Sequence, residues 1–186
     1  MLKKSVFIAT SLDGFIARED GNLDWLMSVP SDPAEDYGYR MFMKDVDVIV
    51  MGRKTFQKAL TFAEWPYKKL KVFVLTSTLA RPPEKLADEV EFLNVTPRGA
   101  IEGIEERGYK HVYIDGGLTI QRFLTEALID EITLTRIPVL LGSGIPLFAG
   151  LARDIRLVHV TTRVFENGFV QSKYSIPGVD LQSTSS

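Results

Sequence analysis

Residues 46–60 read VDVIVMGRKTFQKAL. The first six, VDVIVM, are short, apolar and β-branched, as in a strand buried on both faces. Gly52 breaks the run, and residues 53–60 suit a short helix. A buried strand passing through a glycine into a helix is the repeating unit of parallel α/β sheets.

The flanking sequence repeats that alternation. Upstream, residues 4–10 (KSVFIAT) are a strand, followed by loop chemistry with turn signals at Asp13-Gly14 and Asp20-Gly21. A helix is expected to start at Asp32, with Pro33 in its first position and Glu35 as in a capping box, and to run to Lys44 across Gly38. Downstream, residues 70–76 (LKVFVLT), 90–95 and 110–114 (KHVYI) are strands. Thr96-Pro97 opens a helix that Gly108 stops, and Gly116-Gly117 leads into a helix over residues 118–128. Residues 132–141 are β-rich, with a bend or edge at Pro138. Residues 155–165 and 169–176 flank the hairpin signal Glu166-Asn167-Gly168. The expectation is one α/β domain over residues 1–177, with a mainly parallel central sheet, a closing antiparallel hairpin and a flexible tail over 178–186.

Composition narrows the function. The chain has 186 residues, 45% hydrophobic and 25% charged, long enough to bury a core without staples. A net charge of -2 argues against a protein built to hold nucleic acid. With no cysteine and two histidines, thiol chemistry is excluded and a metal centre is not expected. His111 and His159 read as structural. No apolar run has the roughly 18 residues of a membrane span, and the amino end reads as a strand rather than a secretory signal. A cytoplasmic setting is expected.

Ligands of such sheets bind beyond the carboxyl ends of the strands. Three strand ends stand out: Gly52-Arg53-Lys54-Thr55, Thr76-Ser77-Thr78 and Asp115-Gly116-Gly117. Arg53 and Lys54 in a first helical turn oppose the helix dipole, an arrangement that a bound anion reverses and that solvent exposure also accommodates. Thr76 and Ser77 offer hydroxyls to the same anion or simply form a polar exit. Gly116-Gly117 suits either close approach of a pyrophosphate or a plain turn. The G-x-G-x-x-G fingerprint is absent. The candidate acids are Asp24, Glu35 and Asp36. Asp36 would gain a raised pKa if it faced an apolar cleft.

These stretches, with SLDGFIA (11–17), DGNLDWL (20–26), HVYIDGGLTIQRFL (111–124) and LIDEITLTRIPVLLGSGIPLF (128–148), occur together in one order. The sequence thereby resembles the dihydrofolate reductase-like superfamily, and within it the bacterial proteins related to the carboxy-terminal reductase domain of riboflavin biosynthesis. The resemblance implies a three-layer fold with about eight strands, an NADPH site, a small-molecule substrate and a homodimer. It places Ala9 and Ile16 at the nicotinamide end. Gly52, Arg53, Lys54 and Thr55 fall at the phosphates, with Arg53 beside the 2′-phosphate. Thr76 and Ser77 fall on the adenosine side, and Gly116, Gly117, Leu118, Thr119 and Ile120 at the pyrophosphate. Asp36 falls at the catalytic acid, and Trp25, Tyr37, Arg40 and Thr135 line the substrate pocket.

The family's D-D-P-x-L-T-x-R segment, which grips a ribose phosphate, is replaced here by GRKTFQKALTFAEWPY (52–67). The implied activity is hydride transfer from NADPH to a small pterin- or pyrimidine-like heterocycle. The alternatives are the 5-amino-6-(5-phosphoribosylamino)uracil reductase of riboflavin biosynthesis and a non-catalytic NADPH-binding protein.

Overall fold

A computed structural model of the protein describes residues 1–30 and 34–177. In chain order the elements are β1 (Lys3–Ser11), β2 (Phe15–Ala17), α1 (Tyr39–Lys44), β3 (Val48–Gly52), α2 (Arg53–Ala59), β4 (Lys71–Leu75), β5 (Val90–Leu93), α3 (Pro97–Glu106), β6 (His111–Asp115), α4 (Gly117–Thr125), β7 (Glu131–Ile137), β8 (Ile145–Pro146), β9 (Val158–Val164) and β10 (Val170–Ser175). Eight strands form one sheet in the order β5-β4-β3-β6-β1-β7-β10-β9, and β2 pairs with β8 separately. β5 to β7 run parallel, and β10 is antiparallel to both of its neighbours.

The apolar runs of the central strands are buried on both faces, which makes three layers. On one face Val48, Val50, Val112 and Ile114 pack with Ile104 of α3 and Ile120 and Phe123 of α4. On the other, Ile49, Met51, Val72 and Val74 pack with Phe56 of α2, and Tyr39 and Phe42 of α1 lie against that core. His111 is structural: its Nδ1 bonds the Asp45 carbonyl at 2.9 Å and its Nε2 the Ser5 hydroxyl at 2.8 Å. His159 bonds the Thr162 hydroxyl at 2.7 Å.

The helix expected from Asp32 begins at Tyr39 instead. Its expected cap, Asp32 and Pro33, lies outside the described residues, as does the tail over 178–186. The late start has a local cause. Glu35 accepts from the Tyr37 N–H at 2.7 Å, and Asp36 accepts from those of Gly38 (3.0 Å) and Arg40 (3.0 Å). These carboxylates hold the backbone outside the helical ladder. Gly38, expected inside the helix, is its N-cap at φ 82°. β7 stops at Ile137, one residue before Pro138, because proline cannot donate to the ladder.

The start of α3 follows the sequence reading. Thr96 accepts from the Gly99 N–H at 3.2 Å, and Pro97 takes the first helical position. Thr96→Ala is expected to lower unfolding free energy by about 1 kcal/mol in a urea titration.

Candidate functional site

The carboxyl ends of β4, β3, β6 and β1 lie side by side, so a ligand crossing them from β4 to β1 spans three strand spacings, about 14 Å. In the middle, the starts of α2 and α4 are meshed. A side-chain carbon added to Gly52 would stand 2.8 Å from the Thr119 hydroxyl, and one added to Gly116 would collide with Thr55. At Gly117 the place of a side chain is taken by Ile16. The glycines therefore let two loops and a strand meet. Neither helix has a side-chain cap, so the first-turn N–H groups of both have no partner within their own helices. Two uncapped helix starts beside each other make a cradle of N–H donors, chemistry that suits anionic oxygen.

The β4 end joins this cradle. Arg53 Nη1 donates to the Thr78 hydroxyl at 3.1 Å. The Thr76 hydroxyl accepts from the N–H groups of Thr78 (3.2 Å) and Leu79 (3.3 Å), which folds the turn toward Arg53. Lys54 and Ser77 are exposed nearby in the chain, and Leu118 is also exposed. Ile120 corrects the expectation made for it. Its side chain is fully buried in the core and its N–H donates to the Gly116 carbonyl at 2.8 Å, so neither is open to a cofactor.

The residues expected around a substrate are partly brought together. Ala9 and Thr135 are register partners on β1 and β7. Trp25, buried, shares an aromatic cluster with Phe165, Phe169, Ala9 and Tyr37. Tyr37 stacks on Phe169 at 4.9 Å and its carbonyl accepts from Gln171 Nε2, which also donates to Thr135. Gln171 is the link that sequence reasoning missed. The Trp25 indole N–H is buried without a hydrogen-bond partner among the described residues.

Arg40 corrects another expectation: it points to solvent, and among the described residues its ion pair is with Asp36 at 3.3 Å. Asp36 does not sit in an apolar cleft. The N–H groups of Arg40 and Gly38 hold its carboxyl below the ordinary range rather than above it. Asp24 is likewise held low, by Arg18 at 2.6 Å.

The acid with the opposite character is Asp115, the last residue of β6. Burial pushes its carboxyl above the ordinary range. It accepts from the Tyr67 hydroxyl at 2.9 Å and from the Gly116 N–H at 2.8 Å. Three phenols surround this charge, those of Tyr39, Tyr67 and Tyr113, all raised first by burial and then by Asp115 itself. Tyr39 is pushed up to about 12. Tyr113 donates to the Phe7 carbonyl at 2.9 Å, which ties this cluster to β1. The register puts Met51 and Asp115 side by side, so Asp115 lies on the α1–α2 face at the carboxyl end of the sheet.

This strand order, with helices on both faces and a cradle at the central strand ends, defines a dihydrofolate reductase-like fold. The chain belongs to the family of the RibD C-terminal domain, matched over residues 5–171. It is 37% identical over 167 residues to the uncharacterized protein YwjB of Bacillus subtilis strain 168, covering 88% of this chain and 92% of that one. It is 30% identical over 176 residues to the uncharacterized protein YyaP of the same organism, covering 90% and 91%. A crystal structure from Shewanella sp. PV-4, of a protein provisionally ascribed to riboflavin biosynthesis, superposes with a TM-score of 0.89 at 41% identity, covering 94% of this chain and 99% of that one. The deaminase/5-amino-6-(5-phosphoribosylamino)uracil reductase of Thermotoga maritima shares the fold at a TM-score of 0.69 and 14% identity, with 94% and 56% covered. The fold is thus that of the riboflavin-pathway reductases. No described helix is long and apolar enough to cross a membrane, and no cluster of metal-ligating side chains occurs among the described residues.

Proposed function

We propose that the protein is an NADPH-dependent reductase of the riboflavin-pathway type, acting on a small aminopyrimidine. The observation that carries this reading is the pair of uncapped helix starts meshed through Gly52 and Gly116, with Arg53 already steered by Thr78 at their outer edge. The cradle fits a dinucleotide: N–H donors of Gly117, Leu118 and Thr119 for the pyrophosphate, Arg53 for the 2′-phosphate, and Lys54, Thr55, Thr76 and Ser77 beside them. When bound, NADPH would supply hydride to an electrophilic carbon of the substrate.

The chain's own residues do the rest. Ala9 and Ile16 shape the far end of the cleft, with Trp25 buried in the apolar cluster against which Ala9 packs. The reduced C=N or C=O bond also needs a proton. Asp36, the acid the resemblance favours, stays ionised at the start of α1. Asp115 keeps its proton to higher pH, and the Tyr67 hydroxyl steadies the carboxylate left after donation. We propose Asp115, next to Gly116 at the central strand ends, as the source of that proton. The kinship with riboflavin-pathway proteins favours a pyrimidine over a pterin. A homodimer and a cytoplasmic setting belong to the same reading: the edge strand β9 leaves Val158, Val160 and Val164 46, 54 and 67% exposed, apolar area that a second copy would cover.

The test is NADPH oxidation, followed by absorbance, with 5-amino-6-(5-phosphoribosylamino)uracil or dihydrofolate. Turnover of the pyrimidine and not of dihydrofolate is expected. Failure to bind NADPH in a direct titration would sink the reading.

A further inference from the structure

The loops after β1 and β7 are joined by one carboxylate. Asp13 accepts from the N–H groups of Gly142 at 2.8 Å and Leu141 at 3.1 Å, across 128 residues of chain. The buried Ser11 hydroxyl donates to Asp13 at 2.6 Å and accepts from the Phe15 N–H at 2.9 Å. Around this clamp the backbone is laced as well. Leu12 N–H meets the Val139 carbonyl at 2.8 Å, and Leu147 N–H meets the Gly14 carbonyl at 3.0 Å.

What the clamp holds is the strap of β2 and β8. The strap is fastened to α4 by Gln121, whose side-chain amide donates to the carbonyls of Pro146 (3.0 Å) and Leu147 (3.1 Å). From it Ile16 reaches over Gly117, the first residue of α4. Asp13 itself is exposed and lies in none of the three buried apolar clusters. Among the described residues its bonds run to Ser11, Leu141 and Gly142, within the two loops at the β1–β7 side of the cleft. Arg53, Thr76 and Thr78 stand at the β4–β3 side.

We propose that Asp13 is a positioning residue: by gripping the Leu141 and Gly142 amides it sets the strap so that Ile16 orders the nicotinamide half of the dinucleotide site and leaves the adenosine half untouched. The proposal rests on the dinucleotide reading above. Two ligands separate the halves. NADPH spans both, whereas adenosine 2′,5′-bisphosphate reaches only the Arg53 side.

Asp13→Ala is expected to weaken NADPH about tenfold in an equilibrium titration. It should leave the bisphosphate unchanged. Asp13→Asn keeps one acceptor oxygen and should lie between. Amide hydrogen exchange at Leu141 and Gly142 should quicken in the alanine variant, while exchange in the central strands stays as in the native chain. Equal weakening of both ligands would overturn the proposal, because Asp13 would then act through the whole fold. Unchanged NADPH binding in both variants would overturn it too. Native protein that binds the bisphosphate but not NADPH would remove the nicotinamide subsite itself. Binding of neither ligand would remove the dinucleotide reading first, a result visible before any variant is made.

Discussion

Arg53→Ala is expected to weaken NADPH about a hundredfold, the scale of removing a charge-assisted bidentate hydrogen bond at a partly exposed site. NADH, which lacks the 2′-phosphate, should change by no more than about twofold, since an exposed charge without a partner contributes little. The geometry behind this is simple. Arg53 is the first residue of α2, where a cation opposes the helix dipole. Its guanidinium donates to a neutral partner, the Thr78 hydroxyl, at 3.1 Å. That bond fixes the fork without neutralising it. A doubly charged ester at this corner would meet the guanidinium, the helix start and the Thr76 hydroxyl together. Because the corner is open to solvent, the preference for NADPH should shrink as salt is raised. Equal losses for the two cofactors would show that Arg53 does not read the extra phosphate.

Asp115→Asn is expected to lower kcat about a thousandfold, within the usual range for removal of a general acid. The amide keeps the shape of the side chain and an acceptor for the Gly116 N–H, so the loop should survive. The pH dependence separates this acid from Asp36. Asp115 donates only while protonated, so the native rate should fall as pH rises through its elevated pKa, and the variant's residual rate should lack that limb. Stability obeys the same sign. Above the ordinary 3.8 the folded chain holds this proton more tightly than the unfolded one. Its contribution is therefore complete below 3.8 and is lost as pH climbs through the folded value. Denaturation midpoints of the Asn variant should not show this decline. Asp36→Asn should do the reverse, removing a contribution that disappears as pH falls, and should leave the alkaline limb of the rate in place. An Asp115→Asn protein with the native rate and limb would take Asp115 out of the mechanism.

The sheet was legible because its strands are short apolar runs punctuated by glycine, as at Gly52 and Gly116. The α3 cap at Thr96 and the hairpin at Gly168 follow from local chemistry of the same kind. The start of α1 was not legible, because two neighbouring carboxylates compete with the helix for the same amides. Ile120 carried a readable signal: with Phe123 and Leu124 it forms the apolar stripe of α4, which packs into the core. Asp115 carried almost none. Its defining partner, Tyr67, lies 48 residues away, and only folding shows that the two share a buried corner. Gln171 is similar, since its role depends on β10 lying against β7.

The interlock of Gly52 with Thr119 and of Gly116 with Thr55 bears on how such a protein can diversify. Neither loop can gain bulk or drift alone, since each is the mould in which the other is cast. Change is left to side chains that stand clear of the joint, such as the exposed Leu118. On the proposed reading, the seat for phosphate would then outlast many changes elsewhere around the cleft, a division of labour in which the joint is frozen and its rim is free to wander.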